Sequence, residues 1–510
     1  MNKQILIKKF FEEHRFVKSN IDSYNSFIDW RMQKVVDAER ELMPAVIPVD
    51  AEEVKFEFAE LSLRKPIIIE ADGSERPLYP AEARMRNLTY SAPLFLEIAL
   101  IVDGKERDRA EVQIAEIPVM VQSKLCYLST LTQDQMIESG EDPMDPGGYF
   151  IVNGTERALV LLEDLAPNQI TVNKEKTGPI THFAKVFSAI DTYKISHTVE
   201  RTKEGIFQVS FSNVKKVPFT VILKALGMTK DKDIADAVGF KEIPEDLYIN
   251  LVEFMSVTNQ EEAKEFISKS LQIALPKDRK LQKVESILDT IFLPHLGTDK
   301  KARMNKAYFL AQMIRKTILL REDKIQADDK DHYMNKRIRM AGDLLEDLFR
   351  TNFKGLKNDI IYIFTRGVRR GKIIPIASLV RSKFMTEKIR SAMGTGNWTG
   401  NRQGVSQRLE RDNPIAAISQ LRRVTSLLDS NRESFEARAL HPTHWGRLCA
   451  IESPEGKNIG LRKTLALTGT ITTELQASEY SKNLKSLQKI GLEEIKGWAT
   501  YSLMEYYREQ

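Results

Sequence analysis

The spacing of apolar positions changes several times along the chain, and each change predicts a different kind of element. In the first forty or so residues Phe10, Phe11, Phe16 and Ile21 stand among charges, and the pattern continues from Ser23 to Arg40, which predicts helix. From 52 to 120 the period drops to two. Val54-Lys-Phe-Glu-Phe58 and Leu61-Ser-Leu63 alternate as half-buried strands do, with Ala71-Asp-Gly-Ser74 and Val102-Asp-Gly-Lys105 as turns between them. Pro143 to Gly148 is a loop feeding a further strand, Tyr149-Phe-Ile-Val152.

From about 180 to 330 the texture shifts again. A β-rich start with Phe207-Gln-Val-Ser-Phe211 gives way to helices. The stretch Pro218 to Gly227 has Pro at its start and Gly at its end, as a short helix does. Amphipathic helices are predicted over 261–275, stopped by Pro276, and over 305–320. The polar run Asp328 to Lys336 leads back, and two helices are expected at Ala341–Phe353 and Lys357–Arg366. Residues 391–465 have little periodicity and read as loops on a scaffold, and Leu475 to Gln510 reads as helical. The expectation is a multidomain α+β chain: a β-rich part, a mostly helical domain inserted into it, and a loop-rich part after it.

Composition narrows the class. At ~150 residues per domain, 510 residues imply about three domains. Two cysteines, Cys126 and Cys449, are too few for a disulfide framework or a thiolate zinc site, which points to a reducing cytoplasmic setting. No apolar run reaches the ~20 residues of a membrane helix, and the amino terminus lacks the apolar region of a secretory leader, so no membrane partner is expected.

The net charge of +5 hides an asymmetry. Residues 366–465 hold 19 Lys/Arg against 8 Asp/Glu, a balance of +11, which leaves −6 for the rest. Most of these cations are arginines, whose forked guanidinium fits phosphate oxygens. A phosphate-binding surface, most simply for nucleic acid, is one reading. A solvated face laced with ion pairs is the other, and charge alone does not separate them.

The chemistry in this segment is incomplete. The glycine cluster from Gly394 to Gly404 is neither a Walker loop nor a dinucleotide fingerprint, and either approaches phosphate or is a turn covering a core. His441-Pro-Thr-His444 with Cys449 does not complete a metal site, because Pro442 prevents the helix that would align both histidines, so hydrogen bonding in a rigid turn is expected. Glu452 and Glu455 flank Pro454 and could serve as an acid/base or Mg²⁺ pair; the favoured reading is that they orient neighbouring arginines. No aspartate cluster is present that would hold two Mg²⁺ ions for nucleotidyl transfer. Phosphate-handling surface without a catalytic centre suggests one part of a larger machine.

Several runs resemble, in order, the second-largest (β-like) subunit of multisubunit DNA-directed RNA polymerases. They are Tyr79 to Tyr90, Asp145-Pro-Gly-Gly-Tyr149 through Arg157, Glu163-Asp-Leu-Ala-Pro-Asn168, and Asp328 to Arg337 with Ala341-Gly-Asp343. Thr395-Gly-Asn-Trp398, Gly404 to Pro414 and Leu421-Arg-Arg-Val424 follow, then His441 to Cys449, Glu452-Ser-Pro-Glu-Gly456 and Asn458-Ile-Gly-Leu461. The flavour is archaeal and eukaryotic, and the chain looks like the amino-terminal product, B double-prime, of archaea that split this subunit between two genes.

The resemblance implies a layout: a protrusion over 1–180 that resumes at 340–395, a helical lobe over 181–339, a fork over 396–467, and the start of an external segment over 468–510. It also implies roles. Gln407, Arg408, Glu410, Asn413, Gln420, Arg422, Arg423 and Thr425 match the segment lining the RNA side of the RNA–DNA hybrid. Arg423 would hold RNA phosphate and Gln407 would hydrogen-bond RNA nearby. Leu428 to Phe435 aligns with the fork loop. Arg438 would face the incoming nucleotide, and Glu452, Glu455 and Asn458 would line the substrate side in support. No catalytic or metal-binding residue is expected in this chain, because the Mg²⁺ of the assembled enzyme belongs mainly to the largest subunit. The implied partners are that subunit, the carboxy-terminal half of the β-like subunit, other polymerase subunits, DNA template, RNA transcript and nucleoside triphosphates. Met334 departs from the pattern, which usually has glycine there, and Glu410 and Gln420 differ from the bacterial Asp and His. The alternative function is a non-enzymatic nucleic-acid-binding scaffold derived from such a subunit.

Overall fold

The computed structural model describes residues 3–48, 51–175, 178–190, 193–271, 276–371, 374–431 and 434–492. The chain divides into two compact units: Met1–Asp164 with Asp331–Ser481, and Leu165–Lys330 with Lys482–Gln510.

The first unit is built on an antiparallel sheet of four strands in the order Glu41–Leu42, Val54–Leu63, Ser91–Val102, Lys105–Pro118. The alternation seen in the sequence buries Val54, Phe56 and Phe58 on one face. A helix of 28 residues, Ala341–Val368, covers that face. Its Phe353 meets Phe58 edge-on at 5.5 Å between ring centroids, and its Phe364 meets Phe56 at 5.2 Å. The sequence predicts two helices here, but one continuous helix forms. Phe349, Phe353, Leu356, Ile360 and Phe364 keep a helical spacing through Gly355 and remain buried. Gly355 fits because Phe384 comes so close that a Cβ would stand 3.2 Å from its ring.

The second unit pairs five antiparallel strands in chain order, Thr171–Lys174, Ile180–Ile190, Tyr193–Thr202, Phe207–Phe211 and Val214–Pro218. Among the described residues six α-helices follow, from Phe219–Leu226 to Arg303–Arg321. The first ends as its sequence predicts, on Gly227 in a left-handed conformation with φ +115°. The expected helix over 261–275 is described as Gln260–Ser270, and residues 272–275 lie outside the described set. The unit's edges fall at 165 and 330. The reason is pairing: Thr171–Lys174 is the edge strand of this sheet, whereas Lys336–Arg339 pairs within the first unit.

Residues 391–465 contain more regular structure than their pattern predicts. Ser406–Arg408 pairs with Thr155–Leu159, and Arg423–Ser426 lies between Leu161–Leu165 and Arg462–Thr464. Strands of three or four residues are too short to display a period, and here their partners lie far away in the sequence. The carboxy-terminal helical reading holds for Ala477–Ile490, while 493–510 lie outside the described residues.

Candidate nucleic-acid interface

Two ionic knots, one buried and one partly exposed, hold the platform on which the basic segment sits. In the first, Glu163 accepts from Lys336 at 2.6 Å, from Lys463 at 2.9 Å and from the Tyr333 hydroxyl. Burial by itself would raise the pKa of Glu163, but the two ammonium groups outweigh it and hold the carboxyl at about 2. His444 packs edge-on against Tyr333 at 5.0 Å, and Thr443 accepts from the Tyr333 backbone. The His-Pro-Thr-His turn is therefore a hydrogen-bonded brace, with His441 Nδ1 accepting from the Thr443 backbone. In the second knot, Arg84 donates to Glu141, Glu156 and the Tyr149 hydroxyl, which donates onward to Asp145. Arg411 closes it by donating to Glu156 at 2.7 Å and to Asp145 at 2.8 Å.

The short helix Pro414–Leu421 is capped by Asn413, whose side-chain oxygen accepts from Ala416 N at 2.7 Å. Gln420, at its end, is 1% exposed. Its amide oxygen accepts from Glu410 N at 2.7 Å and its amide nitrogen donates to the Arg408 carbonyl at 2.9 Å. Gln420 thus fixes the backbone that carries Arg408 and Glu410 and presents nothing outward. Arg422, 4% exposed, is spent in the same way. It donates to the carbonyls of Ala466 and Leu467 and lies over the Phe16 ring, and burial lowers its pKa. Among the described residues the buried Thr425 hydroxyl oxygen has no hydrogen-bond partner.

What remains outward is a shorter set. Arg408 is exposed beside half-buried Gln407, whose amide donates to the Gly404 carbonyl at 3.1 Å. Arg423 is half-buried, 3.5 Å from the exposed carboxylate of Glu410. Arg438 donates to the carbonyls of Ser430, Lys457 and Ile459, joining two loops. The second loop passes so close that a Cβ on Gly460 would stand 2.2 Å from the Arg438 carbonyl oxygen. Glu452 and Glu455 are exposed, and Asn458 is half-buried beside them. Among the described residues neither carboxylate pairs with an arginine. Glu452 instead accepts from Ser419 on the capped helix. The charge of Glu452 also acts on buried Arg422, while the Ser419 contact carried no signal in the sequence. Of the fork loop 428–435, residues 432 and 433 lie outside the described set.

The glycine cluster is a turn over a core. Trp398 is buried and donates from its indole nitrogen to the Leu344 carbonyl at 2.9 Å, and Gly396 ends the helix Ser382–Thr395 in a left-handed conformation. Met334 sits exposed in a short 3₁₀ turn, Tyr333–Asn335, with negative-φ geometry that any side chain tolerates. Among the described residues no group of three or more His, Cys, Asp or Glu could hold a metal ion.

The family model described as RNA polymerase beta subunit matches residues 15–387, and that described as RNA polymerase Rpb2, domain 3, matches 407–471. The chain belongs to the RNA polymerase beta-subunit family. DNA-directed RNA polymerase subunit Rpo2N of Methanocaldococcus jannaschii is 41% identical over 494 residues, covering 94% of this chain and 98% of that one. Rpo2N of Methanococcus vannielii is 42% identical over 505 residues, covering 96% and 99%. Rpo2 of Saccharolobus solfataricus is 42% identical over 493 residues, which cover 96% of this chain but 43% of that protein. The chain therefore spans less than half the length of the Saccharolobus relative.

Within this family member the motifs of the resemblance meet in space. Glu163, Tyr333, Lys336 and His444 come from three separate runs and, with Lys463 just beyond the last run, close one knot. Tyr149, Glu156 and Arg411 close the other. Sequence reading places Arg411 in a basic field; its two carboxylate partners, more than 250 positions away, neutralise it. The Glu163 knot is legible in the sequence only as charges inside motifs, because nothing there says which of them meet. Among the described residues no helix is long and apolar enough to cross a membrane.

Proposed function

We propose that this chain is a subunit of a DNA-directed RNA polymerase, forming one wall of the nucleic-acid cleft and acting only in the assembled complex. The observation that carries the reading is the division of labour in residues 407–458. Gln420, Arg422 and Asn413 are consumed in fixing the backbone. Gln407, Arg408, Glu410, Arg423, Glu452, Glu455 and Asn458 are left at or near the surface. A rigid scaffold presenting guanidinium and amide groups holds a polynucleotide by its phosphates without reacting with it. Arg408 and Arg423 would grip transcript phosphates, with Glu410 keeping Arg423 in place until a phosphate displaces it. Arg438 would act by holding together the fork loop and the loop of Glu455 and Asn458, which faces the nucleoside triphosphate.

In this reading Mg²⁺ is held by the largest subunit, where it supplies charge neutralisation for nucleotidyl transfer. The other partners are the carboxy-terminal half of the β-like subunit, further polymerase subunits, DNA template and RNA transcript. The test is purification of the tagged chain from its source. Stoichiometric recovery with a largest subunit and template-directed RNA synthesis is expected. In that complex Arg408→Ala with Arg423→Ala should leave assembly intact and slow elongation several-fold. Recovery as a lone, stable monomer would refute the proposal and favour the scaffold alternative.

A further inference from the structure

A second cationic site lies away from the fork segment, at the end of the long helix Ala341–Val368. Arg366, Arg369 and Arg370 are all exposed there and line a shallow recess of about 580 Å³ with Asn358 and Tyr362. Several arginines elsewhere in this chain find carboxylates, Arg84, Arg201, Arg303, Arg381 and Arg411 each within 3.0 Å of one, and others such as Arg422 bind backbone carbonyls. Among the described residues none of the three at the helix end has an ion-pair partner. The nearby carboxylate of Asp359 is buried and already held by Arg381.

Cations at a helix carboxy terminus are favoured by the helix dipole, which accounts for one such residue in the last turn. It does not account for this group. Among the described residues none of the three side chains hydrogen-bonds a terminal carbonyl, and the last turn is closed by backbone bonds from Arg369 N to Thr365 O and from Arg370 N to Gly367 O. Asn358, Tyr362, Arg366 and Arg369 fall at spacings of four, four and three, so they share one helix face. Tyr362 is 63% exposed, an aromatic ring in water beside three unspent guanidinium groups.

We propose that this face binds phosphate, and that its source is the backbone of a polynucleotide. Guanidinium forks pair with phosphate oxygens, and an adjacent aromatic ring offers a surface for a sugar or base. The recess is open and runs along a helix, which suits a strand passing over it rather than an enclosed small molecule. The site is separate from Arg408 and Arg423, and it does not rest on the polymerase reading.

The test uses the full chain and a fluorescein-labelled duplex of random sequence, with anisotropy measured across a salt series. The variant Arg366→Ala/Arg369→Ala/Arg370→Ala changes exposed side chains only, and an unaltered melting temperature checks its fold. Its affinity should fall about tenfold or more, with a salt slope shallower by about 2–3, because each guanidinium seated on a phosphate displaces roughly one counterion from the duplex. A triple Lys variant should keep most of the slope. Unchanged affinity and slope in the Ala variant, with the weakening confined to Arg408→Ala/Arg423→Ala, would overturn the proposal. Inorganic triphosphate is the second probe. Triphosphate binding that disappears in the Ala variant while duplex binding is unaffected would also overturn it, by moving the site to small phosphates.

Discussion

At the scale of single residues, burial and pairing decide what a charged side chain can do. Arg408 and Arg422 are the same amino acid in neighbouring motifs, yet one is exposed and the other is 4% exposed and bound to two carbonyls. Glu163 shows the stakes inside. Glu163→Gln would leave buried Lys463 without a direct ion-pair partner and Lys336 with Asp331 alone, since both lose the carboxylate that offsets most of their desolvation. Removing one partner of a buried pair costs ~3–5 kcal/mol, and a loss of that order is expected in chemical denaturation of this chain. Arg408→Ala should change the same measurement by less than about 0.5 kcal/mol, because an exposed side chain without a partner contributes little to folding. Equal effects of the two substitutions would contradict the assignment of Glu163 to the scaffold and Arg408 to the surface.

At the scale of elements, the long helix Ala341–Val368 organises the first unit. Its first turn runs against the helix Lys18–Ser26, with Gly342 N donating to the Ser23 hydroxyl at 3.2 Å and Ala341 N donating to the Asn20 side chain at 3.0 Å. The approach depends on Gly342: a Cβ there would lie 2.1 Å from the Ser23 carbonyl oxygen. Alanine normally stabilises a helix interior relative to glycine by ~1 kcal/mol. Here Gly342→Ala should do the opposite and lower the thermal midpoint, because overpacking against backbone costs ~1–3 kcal/mol. A raised midpoint would mean that the two helices do not pack this closely. The same helix explains why its own continuity is not legible in the sequence. Gly355 looks like a break until Phe384 is seen to fill the space above it.

At the scale of the whole molecule, stability should depend on pH through buried histidines. His197 and His295 in the second unit and His444 in the first each have a pKa lowered from 6.5 to about 4, with burial the main cause. They are neutral in the fold. Once unfolded they take up protons below about 6.5, so stability is fully present above that pH and is lost as pH falls toward about 4. Glu163, held at about 2, stays ionised in the fold across this window, and its unfolded carboxyl, with an ordinary value of 4.5, takes up a proton only toward the bottom of it, which adds to the same trend. The melting temperature at pH 5 should therefore lie below that at pH 7; an equal or higher value would show that these rings are open to solvent. The sequence by itself determined the α+β class, the period-two strands from 54 to 118, the change of texture near 180, and the motifs that place the chain in its family. These follow from local periodicity and local residue type. Only the tertiary structure decided which of the clustered arginines are spent. The carboxylates and carbonyls that consume Arg411 and Arg422 lie far off in the chain, and a charge's availability depends on what folding brings within about 4 Å of it.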